Sequence, residues 1–289
     1  MRLIVPLKNR EEIALLKSMG VSGLLLETDR FTRASTVSFT LAQCEELIAL
    51  IHQEKMEAYI AFNTLIHETD LSELNKWLIS LGKAGADALV AFDLTVAIVA
   101  QTLGFHKKVI YQPGTFNTHS RISFSLQSLD LKGITLSREL SLDEIKTISL
   151  ANPELPLSLQ GHGFIELFVS RRKLITNHYR HNPKSTRSSG PFWLQEEQRP
   201  DEKYPIMEDQ FGTQIFRPKK LASFSVFSQL DPWIKDWFIS RLFLNDVEFY
   251  AAITAYVLHE YDQFLDIYAS EYDEGTMYQK IGVKKLVNQ

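Results

Sequence analysis

Short apolar runs alternate with amphipathic stretches through the first half of the chain. The runs LIVP from Leu3, LLLE from Leu24, EAYIAFN from Glu57, ALVAFD from Ala88, VIYQ from Val109, GITLS from Gly133 and LSLQ from Leu157 have the length and aliphatic content of buried strands. Between them, residues 10–19 place Ile13, Leu16 and Met19 on one helical face, and residues 41–54 do the same with Leu47, Ile48 and Ile51. Unbroken strand–helix–strand alternation predicts a parallel sheet. The segments KSMGVSGLLLE and GKAGADALVAFD share a helix-end, glycine, strand rhythm, as a repeated β/α unit does. The pattern predicts an α/β fold, a (β/α)8 TIM-type barrel. Its eighth strand is expected at residues 237–244, followed by a long helix through Tyr250, Ile253, Tyr256, Val257, Phe264 and Ile267.

The periodicity lapses between the seventh and eighth strands. A structureless connection of about sixty residues would be unusual in a compact domain, so part of it is expected to form a β-hairpin flap over the barrel mouth. FWLQEE and KYPIMED flank the turn-prone QRPDE, and FGTQIF follows. The expected organisation is one domain over residues 1–289, with residues 183–222 as the inserted loop and flap.

Composition is ordinary for a globular protein, at 45% hydrophobic and 23% charged over 289 residues. The single cysteine, Cys44, lies in a helical pattern and cannot support a disulfide, which suits a reducing, cytoplasmic setting. The opening MRLIVPLKNR has too short an apolar run for a signal peptide, and no segment has the apolar length of a membrane span. A net charge of −4 argues against indiscriminate nucleic-acid binding, but the charge is unevenly spread. From residue 167 to 195 there is no acidic residue, while Arg171, Arg172, Lys173, Arg180, Lys184 and Arg187 fall there; from Asp246 to Glu274 there is no lysine or arginine.

In a barrel of this kind, side chains leaving the C-terminal ends of the strands line the site. The chain supplies Glu27, Asn63, Asp93, Gln112, Arg138, Glu139 and His162 at those ends. Any one of them could be a turn residue; together they predict a polar cavity. Arg138 with Arg171 or Arg172 would suit an anionic ligand, because guanidinium presents a planar fork of donors to a carboxylate; an Arg138–Glu139 ion pair is the structural alternative. Gln112 and Asn117 flank a Pro-Gly turn that either presents both amides inward or is merely capped by them. Glu139 and His162 are the candidate acid–base residues. His178 and His181 have helical spacing but no thiolate or third histidine beside them, so no metal is expected.

Two stretches carry a resemblance: residues 161–187, GHGFIELFVSRRKLITNHYRHNPKSTR, and residues 193–216, WLQEEQRPDEKYPIMEDQFGTQIF. They resemble the peptidase U-32 family, collagenase-like proteins whose members include hydroxylases of RNA bases. Further matches are Arg33 and Phe39, Gln112 and Asn117, Ser137-Arg138-Glu139, Tyr204-Pro205-Ile206 and Gly212-Thr213. His162, Gly163 and Ser170 match the motif that surrounds the family's iron–sulfur cysteines, but the cysteine positions fall on Glu166 and Lys173, and the later pair meets only SSGPF. Carboxylate and ammonium cannot replace thiolate ligands, so no cluster is expected on this chain. The resemblance implies a TIM barrel with a flap, and by analogy prephenate or a similar dicarboxylate as ligand for Arg138 with Arg171 or Arg172; Arg33 and Ser170 are further candidate ligand-binding residues.

The expected role is that of a non-redox partner to a cluster-bearing relative in transfer-RNA wobble-uridine hydroxylation. Lys173, Arg180, Lys184 and Arg187, interleaved with Tyr179 and Trp193, would meet RNA. Two rivals stay open. One is a hydrolase working through Glu27, Asp93 or Glu139, although neither a nucleophile elbow nor a zinc-protease motif is present; the other is a small-molecule-binding barrel without an RNA role.

Overall fold

The computed structural model describes residues 1–122, 126–182 and 192–279. The elements run β1 (Arg2–Pro6), α1 (Glu12–Ser18), β2 (Gly23–Glu27), α2 (Leu41–Gln53), β3 (Glu57–Phe62), α3 (Leu71–Ala84), β4 (Ala88–Ala91), α4 (Leu94–Thr102), β5 (Val109–Tyr111), β6 (Gly133–Thr135), α5 (Leu142–Ala151) and β7 (Leu157–Gly163). There follow β8 (Glu166–Ser170), α6 (Leu174–His181), β9 (Phe192–Glu196), β10 (Arg199–Asp209), β11 (Gly212–Phe216), β12 (Lys220–Ala222), α7 (Phe224–Leu230), β13 (Ile234–Ile239), α8 (Asp246–Leu258), α9 (Asp262–Tyr268) and β14 (Tyr272–Asp273). Strands β1 to β7 pair in parallel and in order, and β13 pairs with both β7 and β1, closing an eight-stranded TIM barrel. Among the described residues, no helix is long and apolar enough to cross a membrane.

Local chemistry fixes the helix ends. Thr40 and Ser141 open α2 and α5 with reciprocal capping boxes to Gln43 and Glu144, satisfying N–H groups that would otherwise be orphaned. Inside the barrel, Ile4, Tyr59, Val90, Ile110 and Phe238 form a compact cluster, separate from the larger core between strands and helices. Below it, at the N-terminal end, Arg2 joins Asp236 at 2.6 Å and Glu57 at 2.5 Å.

Two expectations need correction here. The eighth strand is Ile234–Ile239, earlier than residues 237–244: Asp236 is 2% exposed and belongs to the strand because Arg2 neutralises it. The expected long helix is two helices, because His259 takes a left-handed conformation, φ 56°, and ends α8.

The flap is more than a hairpin. Strands β8, β11, β10 and β9 form a four-stranded antiparallel sheet in that order, so the excursion from the barrel begins at β8. Gly212, φ 128°, makes the β10–β11 turn where a Cβ would lie 2.0 Å from the Ser170 carbonyl oxygen, so no side chain fits. Helix α6 packs on the sheet, with Leu174 N–H donating to Thr213 Oγ1 at 2.9 Å and the Tyr179 ring 6.3 Å from Phe192.

Candidate functional site

The barrel mouth holds a cavity of about 150 Å³. Its polar wall comes from the ends of β2, β3, β5, β6 and β7, and the flap strand β8 closes one side. Of the residues expected there, Glu27, Arg33, Asn63, Gln112 and Arg138 all line it. Three that sequence reasoning did not place in the cavity also face it: Gln160, Phe92 and Glu166.

Arg33 is set by the loop after β2. Its backbone N–H donates to Asn63 Oδ1 at 2.7 Å and its carbonyl accepts from Asn63 Nδ2 at 3.2 Å, so the end of β3 fixes the loop. The next residue, Ala34, has φ 51°, and its N–H donates to Asp209 Oδ2 at 2.8 Å, tying this strained loop to the flap turn. The Arg33 guanidinium lies 4.3 Å above the centre of the Phe92 ring and grips Glu166 with two bonds, Nε to Oε1 at 3.2 Å and Nη2 to Oε2 at 2.8 Å. Its remaining nitrogen, Nη1, is buried without a partner.

Arg138 is the second guanidinium. Nη1 donates to Gln160 Oε1 at 3.0 Å and Nη2 reaches the Glu166 carbonyl at 3.5 Å, both neutral oxygens. Burial pulls it below the usual arginine range, opposed by the Glu166 charge. Gly114, φ 78°, brings the β5–β6 turn against it, with the position of a Cβ only 3.6 Å from Nη2.

Glu27 sits at the end of β2 with its carboxyl buried. Oε2 accepts the Thr36 N–H at 2.9 Å, and burial pushes its pKa up to about 7 despite the N–H donors of Thr36 and Val37. A buried arginine, Arg241, lies beyond it, neutralised by Glu12 at 2.7 and 2.8 Å and by Asp246 at 2.7 Å.

The other expected site residues lie elsewhere. Asp93 caps α4, accepting from Thr95 N at 2.9 Å and Ile66 N at 2.9 Å, so both oxygens serve the loops. Gln112, by contrast, stays on the cavity wall and donates to Thr135 Oγ1 at 3.3 Å, whereas Asn117 is buried behind the turn, donating to the Thr135 carbonyl at 2.8 Å. Glu139 is exposed and outside the cavity. His162 is fully buried on the outer side of the barrel among Phe224, Tyr256, Phe264 and Tyr272, at centroid distances of 5.0 to 5.7 Å. Burial, with Lys220 nearby, lowers its pKa to about 3, and neither ring nitrogen has a partner. A register shift in β7 between Gln160 and His162 explains this: Gln160 faces the cavity and the bulge turns His162 away from it.

Ser170 ends β8 and accepts from the Arg172 N–H at 3.2 Å. Arg171, Arg172, Lys173 and Arg180 are exposed on and beside α6, and Arg171 lines a small cleft with Arg30 and Phe211 at the edge of the mouth. Lys184 and Arg187 lie outside the described residues.

An iron–sulfur cluster does not fit these residues. Cys44, the sole thiol of the sequence, is fully buried on α2, its pKa pushed up to about 12 by burial. Glu166, at one matched cysteine position, is occupied with Arg33, and Lys173, at the other, is exposed. Among the described residues, no group of three or more His, Cys, Asp or Glu side chains could hold a metal ion.

Comparison with known proteins agrees with this architecture. Among curated proteins, the tRNA hydroxylation protein P2 of Bacillus subtilis is 28% identical over 229 residues, 76% of this chain and 72% of that one. The uncharacterized protease MJ0090 of Methanocaldococcus jannaschii is 29% identical over 150 residues, and a collagenase of Porphyromonas gingivalis is 21% identical over 180. The chain spans only 36% and 41% of those two proteins. The solved structure of the U32 peptidase Mk0906 superposes with a TM-score of 0.52 at 11% identity, covering 83% of this chain and 92% of that one, and so shares the fold. With residues 11–236 matching the family model, this barrel belongs to peptidase family U32.

Proposed function

We propose that this chain is a ligand-binding, non-redox subunit that acts with a cluster-bearing relative in transfer-RNA hydroxylation, and that its barrel mouth holds a small organic carboxylate against Arg138. The observation that carries the reading is a partly buried guanidinium that faces the cavity and hydrogen-bonds neutral oxygens. A buried cation is costly unless paired, and a carboxylate there would supply the missing charge, with the unpartnered Arg33 Nη1 as a second donor. Prephenate, the dicarboxylate suggested by the resemblance, is the reference ligand. The likeness to the Bacillus tRNA hydroxylation protein supports the transfer-RNA setting.

Titration calorimetry of the purified chain with prephenate and other small carboxylates tests the cavity. Binding is expected for the wild type, with a loss of about tenfold to a hundredfold in Arg138→Gln, the scale of a charged hydrogen-bonded contact. Equal affinity in both proteins would remove Arg138 from the site. The RNA role is tested by transfer-RNA binding across a salt series, with and without the cluster-bearing relative. Arg171→Ala/Arg172→Ala should weaken binding without regard to sequence and reduce the salt slope by about one counterion per lost cation. An unchanged affinity and slope would exclude these arginines from an RNA contact.

One observation favours a second reading, hydrolysis: the Glu27 carboxyl, at about 7, is poised for acid–base work. Against it, Asp93 and Glu139 do not line the cavity, and Glu166 is consumed by Arg33. Sustained cleavage of gelatin that Glu27→Gln abolishes would put the hydrolase first.

A further inference from the structure

From the pairing inside the cavity we infer that Glu166 makes this site selective for a monocarboxylate over a dicarboxylate. The inference rests on the carboxylate reading of the cavity and specifies which carboxylates enter it.

The charged groups that line the mouth are Arg33, Arg138, Glu166 and Glu27. Two guanidiniums together would offer two seats for carboxylate. One is already filled by the chain itself, because Glu166 meets Arg33 through two parallel N–H to oxygen bonds at 3.2 and 2.8 Å, the arrangement in which arginine receives a bound carboxylate. This pair is sheltered, with Arg33 5% and Glu166 16% exposed at the side chain, so solvent screening does little to blur it. The loop and flap that carry the two partners are tied independently, through Asn63 to Arg33 and Asp209 to Ala34, so the pair is built into the frame.

One lining cation remains outside an ion pair, Arg138, whose hydrogen bonds go to neutral oxygens, while Arg33 Nη1 is buried without a partner. The rest of the wall includes the rings of Phe92, Phe164, Phe216 and Phe238, which suit an apolar or aromatic body. A second ligand carboxylate would have to settle beside Glu166 with no further cation among the described lining residues to receive it, and like charges in a partly desolvated site discriminate strongly. The fitting ligand carries one carboxylate on a ring-sized apolar skeleton. Glu166 then acts as the residue that sets ligand charge, and no covalent step is required of it.

Phenylpyruvate and prephenate supply the test, since both carry a pyruvyl side chain and prephenate adds a ring carboxylate. Calorimetry on the full chain is expected to show phenylpyruvate binding at least about tenfold tighter than prephenate, a difference that corresponds to about 1.4 kcal/mol. In Glu166→Gln, prephenate should gain about tenfold or more while phenylpyruvate changes far less, with circular dichroism confirming the fold. Should that variant fail to fold, the wild-type comparison alone decides. Prephenate binding as tightly as phenylpyruvate, or tighter, overturns the selectivity while leaving the carboxylate site intact. Binding of neither ligand overturns the carboxylate reading and this inference with it.

Discussion

Replacing Glu27 with glutamine should make the protein more stable in proportion to pH. The carboxyl is buried at the cavity wall, and its pKa rises from 4.5 to about 7 because burial disfavours the charged form more than the Thr36 and Val37 N–H groups favour it. A folded-state pKa above the unfolded one means that stability is fully present below pH 4.5 and is lost as pH rises through about 7. At about 1.36 kcal/mol per unit, a shift of this size costs the folded state about 3 kcal/mol once both states are ionised. Glutamine keeps an oxygen to accept the Thr36 N–H, now 2.9 Å from Glu27 Oε2, and removes the buried charge. Urea unfolding of both proteins from about pH 4.5 to about pH 8 reads the difference directly. The variant should gain about 3 kcal/mol on the wild type across that range. A pH-independent difference would refute the claim that Glu27 is desolvated in the native state.

Other substitutions test the surrounding structure. His162, lowered from 6.5 to about 3, contributes stability that is present above 6.5 and lost as pH falls; His162→Phe should therefore flatten the acid limb, sparing about 2 kcal/mol by about pH 5, and leave carboxylate affinity unchanged. An affinity loss would place His162 back at the site. Lys220, at 5% side-chain exposure, binds Glu248 and, at 2.8 Å, Glu271. Lys220→Met strands the Glu248 charge, so a loss of about 3 to 5 kcal/mol is expected in urea unfolding, with partial recovery on adding Glu248→Gln; no loss would show that the pair is dispensable.

Much of the barrel was legible because its strands are fully buried apolar runs separated by helical periodicity. The readings failed where polar residues enter the core in pairs. Asp236 looks like a loop residue until Arg2, far away in sequence, neutralises it. His259 ends a helix without the glycine that usually signals such an end. In the site, Glu27, Asn63, Gln112 and Arg138 were visible as polar ends of apolar strands, and Arg33 through the family resemblance. The orientation of His162 was not, because strand alternation predicts the wrong face once a bulge intervenes. Glu166 was visible as a missing cysteine, but its bond to Arg33 spans 133 positions and no local pattern announces it.

The central claim is that the barrel mouth receives a carboxylate on Arg138, and a crystal structure of the chain with phenylpyruvate at saturating concentration tests it most directly. The account predicts ligand carboxylate oxygens within about 3 Å of Arg138 and of Arg33 Nη1, with the Arg33–Glu166 pair preserved. A carboxylate bound elsewhere, or a cavity holding only solvent, would contradict it.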